Sequence, residues 1–310
     1  MIGGFLALSG EAVTLYGRKD HIEAIRADGL QIKGIWGDHC VKNIKAEHEI
    51  GSLQGQGYDL ILLTVRAYDL EQVLPDVQKI ANATTILVSM QNGLGNIEKI
   101  SRFFPKNNIL GSRVIFGAKK VKAGTVEVTV YAEEVMLGPV QGTPADAFEK
   151  LYTVAEDLAG RLSKAGVPSL PTREVEKYIW AKVLYNAALN PLSALLSATY
   201  GNLSDNPHTR TMMKEIIQEI FSVAQAKQIP MFWDSPDGYW KKFIEQEVPA
   251  TQAHRSSMLQ AIEAGKPVEI DALNGAVVEM AREMAISVPV NDLLVRLIRA
   301  KQYHRVHFPI

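Results

Sequence analysis

Short, continuously apolar runs punctuate the first half of the chain: AVTLY at 12–16, DLILLTV at 59–65, TTILVSM at 84–90, then NILGSRVIFGA and GTVEVTVY. Such runs suit strands buried on both faces, and helical stretches alternate with them, which predicts a parallel sheet with crossover helices over residues 1–168. The segment GVPSLP at 166–171 brings two prolines and a glycine, and strand signals almost vanish after it. From 169 to 310 the apolar positions recur with a period of about 3.6, in EVEKYIWAKVLYNAALN, TRTMMKEIIQEIFSVAQAKQ, SSMLQAIEAG and EIDALNGAVVEMAREMA. PMFWDSPDGYW is the one loop-like patch of this half, and no internal repeat is visible. The pattern predicts an α/β doubly wound domain over 1–168, an all-α domain over 169–310, and a cleft between them.

The first residues sharpen this reading. A dinucleotide fold needs a strand, then G-x-G-x-x-G, then a helix whose N-terminus meets the pyrophosphate. In MIGGFLALSG, Gly3 stands at the third glycine, a helix-length apolar stretch follows, and Ser9-Gly10 makes a turn before a second strand. Counting back places the first strand and two glycines ahead of Met1. The expectation is therefore that Met1 is a misplaced start or an edited record, and that the natural product carries roughly ten more residues. The strands holding Val13 and Leu62 would then stand about 10 Å apart, two strand spacings, or close on each other. A NAD-preferring fold usually has an acidic residue at the tip of the second strand. Here Arg18-Lys19 stands in that place, which suits the 2′-phosphate of NADP; a solvated pair at a strand end is the alternative.

The helical half carries the stronger chemical signal. Lys182, Asn186 and Asn190 are spaced i, i+4, i+8 in WAKVLYNAALNPLSAL, so they share a sector of roughly 80° on a helix. Their neighbours are apolar. A solvated stripe would ordinarily carry charges of both signs, whereas one lysine and two amides call for a polar ligand, since unpartnered burial costs about 1–3 kcal/mol per amide. Pro191 is expected to kink or end that helix.

Composition narrows the partners. With 310 residues, 47% hydrophobic, and 33 basic against 34 acidic side chains, the chain is globular with no electrostatic footprint for nucleic acid or an anionic membrane. No apolar run approaches the roughly 20 residues of a membrane span, and MIGGFLAL lacks the basic n-region of a signal peptide. The single cysteine, Cys40, excludes an internal disulfide and has no zinc-spaced companions, so no metal is expected and a reducing, cytoplasmic location is. Cys40 reads as a small core residue.

Four stretches together resemble the ketopantoate reductases (2-dehydropantoate 2-reductases), over residues 1 to about 303: IGGFLALSGEAVTLYGR, SMQNGLGN at 89–96, WAKVLYNAALNPLSAL, and SSMLQAIEAGKPVEID at 256–271. The resemblance implies a Rossmann-like first domain and NADPH-dependent reduction of ketopantoate to pantoate, in pantothenate biosynthesis. It implies that Lys182 is the general acid, that Asn92, Asn186 and Asn190 hold the substrate, that Ser257 meets its carboxylate, and that Glu269 completes the site. Along the cofactor it places Ile2, Gly3, Arg18, Arg66, Asn92, Ala118 and Glu269. Two positions depart from the family pattern: Arg66 stands where a lysine is more frequent, and Tyr200 stands where some members place a substrate-contacting asparagine, so that a larger, flatter group would admit a different 2-oxo acid. The alternatives are an NADP-dependent dehydrogenase for another hydroxy acid and a non-catalytic product. The long C-terminal helices suit a homodimer.

Overall fold

The computed structural model describes residues 1–307. It divides into two compact units, one formed by Met1–Val65, Asp69–Gln91 and Ile97–Val175, the other by Arg66–Tyr68, Asn92–Asn96 and the chain from Glu176 onward.

In the first unit the elements run α1 (Ile2–Leu8), β1 (Thr14–Tyr16), α2 (Lys19–Asp28), β2 (Leu30–Gly34), β3 (His39–Val41), β4 (Lys45–Glu47), β5 (Leu60–Leu63), α3 (Leu70–Ile80), β6 (Ile86–Ser89), α4 (Asn96–Ser101), β7 (Ile109–Lys122), β8 (Thr125–Pro139), α5 (Ala145–Lys164) and β9 (Ser169–Pro171). Strands β5, β6 and β7 pair in parallel, as the apolar runs predict. The sheet as a whole is mixed, in the order β3-β2-β8-β7-β6-β5, because β7 and β8 form one long antiparallel hairpin and β2 pairs antiparallel with β3. The hairpin turns at Gly124, whose φ of +71° favours glycine. β9 adds to β8 in parallel, so the Pro/Gly-containing segment 166–171 carries a strand.

β1 pairs only with β4, in a separate two-stranded sheet. It is not hydrogen-bonded to β5, and Val13 lies just ahead of β1 with its carbonyl accepting from Lys45 N–H at 3.2 Å. β5 ends the larger sheet, and three of its four residues are only half-buried, contrary to the burial on both faces expected of DLILLTV; β6, with neighbours on each side, is buried throughout. A second expectation is corrected at Cys40, which is exposed on β3 at the other edge, where one face of the strand meets solvent.

α1 lies close on β1 and β2. A Cβ at Gly3 would stand 2.8 Å from Leu15 Cδ2, and one at Gly4 would stand 2.8 Å from both Ile32 Cδ1 and Leu30 Cδ2. Phe5 and Leu6 of α1 share the core of this unit with Leu151, Ala155, Leu158 and Leu162 of α5.

The second unit is helical: α6 (Val175–Leu196), α7 (Tyr200–Asp205), α8 (Pro207–Ala226), α9 (Pro236–Lys242), α10 (Val248–Ala250), α11 (Ser257–Glu263), α12 (Asn274–Glu283) and α13 (Pro289–His307). Trp180, Val183, Leu184, Ala187, Ala188 and Leu189 of α6 pack with Ile216, Ile217 and Ile220 of α8, Val277 and Ala281 of α12, and Leu294 and Ile298 of α13. α6 does not end at Pro191 but continues to Leu196. Proline has no N–H to give to the carbonyl four residues back. That carbonyl, on Ala187, instead accepts from the buried Asn274 Nδ2 at 3.1 Å.

Candidate active site

Within the helical unit, Lys182 is half-buried on α6 and its Nζ donates to Asn92 Oδ1 at 2.5 Å. The other end of that amide, Nδ2, donates to Glu269 Oε2 at 3.4 Å, and Glu269 Oε1 accepts from Arg66 Nη1 at 3.3 Å. An ammonium, an amide, a carboxylate and a guanidinium from four distant stretches thus form one chain of contacts. In sequence, Arg66 and Asn92 come just after β5 and β6, where parallel α/β sheets place their ligand-binding loops.

The QNG loop is shaped to present Asn92. Gly93 takes φ +86°, and a Cβ there would stand 2.1 Å from the Ala272 carbonyl oxygen, so only glycine permits the approach. Leu94 N–H donates to that same oxygen at 2.7 Å. Asn96, itself buried, donates Nδ2 to the carbonyls of Asn92 and Gly93 at 3.0 and 3.3 Å. Ala272 closes the short 3₁₀ turn that begins after Glu269. One backbone contact therefore seats both the loop carrying Asn92 and the segment carrying Glu269.

Asn186, one turn beyond Lys182, is half-buried and has no side-chain partner among the described residues. Asn190, the next turn, is buried: its Oδ1 accepts from the Tyr200 hydroxyl at 2.7 Å, and its carbonyl accepts from Ser256 Oγ at 3.3 Å. Ser256 also caps α11, its Oγ accepting from Leu259 N–H at 3.0 Å. Ser257 follows as the first, exposed residue of α11, so its turn is tied to α6 through Ser256.

Tyr200 is an interior residue. It is 3% exposed, its ring meets Tyr185 edge-on at 5.8 Å, and burial pushes its phenol well above the usual tyrosine range. Tyr185 is likewise pushed up to about 12 by burial.

The remaining residues implied along a cofactor lie in the first unit. Ile2 is buried and Gly3 packs on Leu15, both in α1. Arg18 stands at the N-cap position of α2 just after β1, with its side chain 81% exposed and its Nη2 3.4 Å from Asp69 Oδ2. Lys19, beside it, is exposed with its Nζ 3.7 Å from Glu23. Ala118 is exposed on β7, paired with Val128 of β8. Spacing on α6 did not reveal the link from Asn190 to Tyr200 or the buried amide of Asn274; Pro191 was the available signal for the second, since it strands a carbonyl.

Comparison with known proteins agrees along the whole chain. The family model for ketopantoate reductase PanE/ApbA matches residues 1–142, and that for its C-terminal region matches 174–302. The 2-dehydropantoate 2-reductase of Aquifex aeolicus is 37% identical over 275 residues, which is 88% of this chain and 85% of that protein. The crystal structure of a PanE/ApbA family ketopantoate reductase from Ralstonia eutropha superposes with a TM-score of 0.84 at 26% identity, over 99% of this chain and 95% of that one. A D-mandelate dehydrogenase solved with NADH and anilino(oxo)acetate gives a TM-score of 0.82 at 26% identity, over 97% and 94%. With a Rossmann-like first unit, a helical second unit and these relatives, the chain belongs to the ketopantoate reductase family of dinucleotide-binding oxidoreductases.

Proposed function

We propose that this chain reduces 2-dehydropantoate to pantoate with NADPH, the step this family contributes to pantothenate biosynthesis. The observation that carries the reading is the Lys182–Asn92–Glu269 assembly, which holds the lysine amine on a carboxamide in a half-buried position. When bound, the reduced nicotinamide supplies a hydride to the C2 ketone. Lys182 Nζ holds the proton that the resulting alkoxide takes up, and a cationic donor lowers the energy of that oxyanion as its charge develops. Asn92 Oδ1 orients the ammonium, Glu269 fixes the other end of the Asn92 amide, and Asn186 supplies an amide with its hydrogen-bonding capacity open for a polar substrate. Ser257, exposed at the start of α11, is assigned to the substrate carboxylate.

The residues present fit the dinucleotide. Gly3 and Gly4 allow the close packing of α1 on β1 and β2 that the third motif glycine serves. Arg18 sets an exposed guanidinium, paired only at 3.4 Å with Asp69, just past β1, which supports the 2′-phosphate and hence NADPH over NADH. Ile2, Arg66 and Ala118 are assigned along the same cofactor. The exposed Cys40 thiol supports a reducing compartment, the cytoplasm. Leu293 and Leu297, exposed one turn apart on α13, support self-association of the helical unit as a homodimer.

Replacing Lys182 with alanine tests the proton donor. Turnover of 2-dehydropantoate is expected to fall by about 10²–10⁴-fold, while NADPH affinity, read by fluorescence titration, stays within about threefold because the site loses no cofactor contact by this change. Near-normal turnover removes the lysine from the mechanism. A parent chain that prefers a phenyl-bearing 2-oxo acid moves the reading toward the activity of its mandelate dehydrogenase neighbour.

A further inference from the structure

We propose that Tyr200 is a positioning residue that commits the side chain of Asn190 to act as a hydrogen-bond donor toward the 2-oxo acid; the assignment rests on the reductase reading above. A carboxamide can present either its oxygen or its NH₂, and an unanchored one can turn by half a revolution to do so. In this chain the choice is made by the interior. The Tyr200 hydroxyl donates to Asn190 Oδ1 at 2.7 Å, which occupies the acceptor end and leaves Nδ2 as the group for a ligand. A 2-oxo acid carries only acceptors at its carboxylate and ketone, so a donor matches it, and an outward-facing amide oxygen would set lone pair against lone pair.

The ring and backbone of Tyr200 are held by their neighbours. Tyr200 is 3% exposed, with its ring edge-on to Tyr185 at 5.8 Å and against the His254 ring at 5.1 Å. Tyr185 is itself fixed by a hydrogen bond between its hydroxyl and Thr251 Oγ1 at 2.5 Å. The Tyr200 N–H donates to the His254 carbonyl at 3.1 Å, and the next residue, Gly201, donates to the Gln252 carbonyl at 2.8 Å. A Cβ at Gly201 would stand 3.1 Å from Gln252 O, so this approach of two segments depends on a small residue. Ser256 Oγ donates to the backbone carbonyl of Asn190, which fixes the residue from a second direction. Burial raises the phenol, so its O–H proton is retained for the bond to Asn190 Oδ1.

A double-mutant cycle on the full chain decides it. In the parent background, Tyr200→Phe is expected to raise KM for 2-dehydropantoate about 10-fold, the effect of losing one oriented hydrogen bond, with kcat within about threefold and the Kd of NADPH unchanged. In an Asn190→Ala background the same substitution is expected to change KM by less than about twofold, because the hydroxyl then has no amide to orient. An unchanged KM in the parent background overturns the assignment, as does an equal rise in both. Absence of turnover in the unsubstituted chain overturns the reductase reading and this assignment with it, whereas an active parent with an unresponsive KM overturns the assignment alone. Should Tyr200→Phe fail to fold, Asn190→Asp reads the same point. It keeps an acceptor for the tyrosine and replaces the donor by an acceptor, so KM is expected to rise by about 100-fold, and an unchanged KM overturns the assignment.

Discussion

Gly93 shows how much of the site rests on a single missing side chain. Its φ of +86° and the 2.1 Å approach of a notional Cβ to the Ala272 carbonyl are two separate demands for glycine. Gly95, two residues on, has φ +80° but open space around its Cβ position. Comparing Gly93→Ala with Gly95→Ala therefore separates collision from backbone strain. Both are expected to lose about 1–3 kcal/mol from strain. Only Gly93→Ala should also push the QNG loop off Ala272, withdraw Asn92 from Lys182, and lower kcat by at least about 10-fold; equal kinetics in the two variants would show that the contact with Ala272 does not position Asn92. Residues of the site were legible where a local rule applied. Lys182, Asn186 and Asn190 declare themselves by falling on one face of an otherwise apolar helix. The contacts of Lys182 with Asn92, and of Asn92 with Glu269, join stretches remote in sequence, and only the family resemblance anticipated their company. Tyr200 was singled out as an exception, but its bond to Asn190 joins α7 to α6 and has no signal in the spacing of either helix.

At the scale of elements, α6 is the instructive case. A proline inside a helix is read as a kink or an end, and the reading is sound for an isolated helix. In this fold the stranded Ala187 carbonyl finds Asn274 Nδ2, which also donates to Asn291 Oδ1 at 2.9 Å. Asn291 in turn donates Nδ2 to Glu219 Oε2 at 2.6 Å, and the Glu219 carboxylate accepts the Val290 and Asn291 N–H groups at 2.9 Å each. A polar network thus ties α6 to α8, α12 and the first turn of α13. Asn274→Leu is expected to destabilise the helical unit by about 1–3 kcal/mol for each acceptor left without a donor. Adding Pro191→Ala supplies an N–H for the Ala187 carbonyl and is expected to restore part of the loss in thermal unfolding. No recovery would mean that this carbonyl is not what Asn274 serves. The strand β9 makes the complementary point: the prolines of GVPSLP read as the end of the strand pattern, but an outermost strand needs few donors of its own, and β8 offers Val135–Leu137 as a partner.

For the molecule as a whole, sequence pattern gave the two classes of structure and most strands of the first half, while pairing was legible only in part. β2, β3 and β4 are three to five residues long and carry no continuous apolar run, and the β7–β8 hairpin turns a parallel expectation into a mixed sheet. The consequence with a direct readout is at the open edges. The Asp59 and Leu63 carbonyls accept from Ile86 and Met90 of the β6 side, so by two-residue alternation Leu60 and Leu62 direct their N–H groups away from β6. The Val13 carbonyl and Gly17 N–H bond to Lys45 and Glu47 in the same way, which directs Thr14 and Tyr16 away from β4. Native-state hydrogen exchange should find the amides of Leu60, Leu62, Thr14 and Tyr16 exchanging at least about a hundredfold faster than those of Ile86–Ser89, which lie in a strand paired on both sides. Equal protection of Leu62 and Leu87 would show that the β5 edge is already covered.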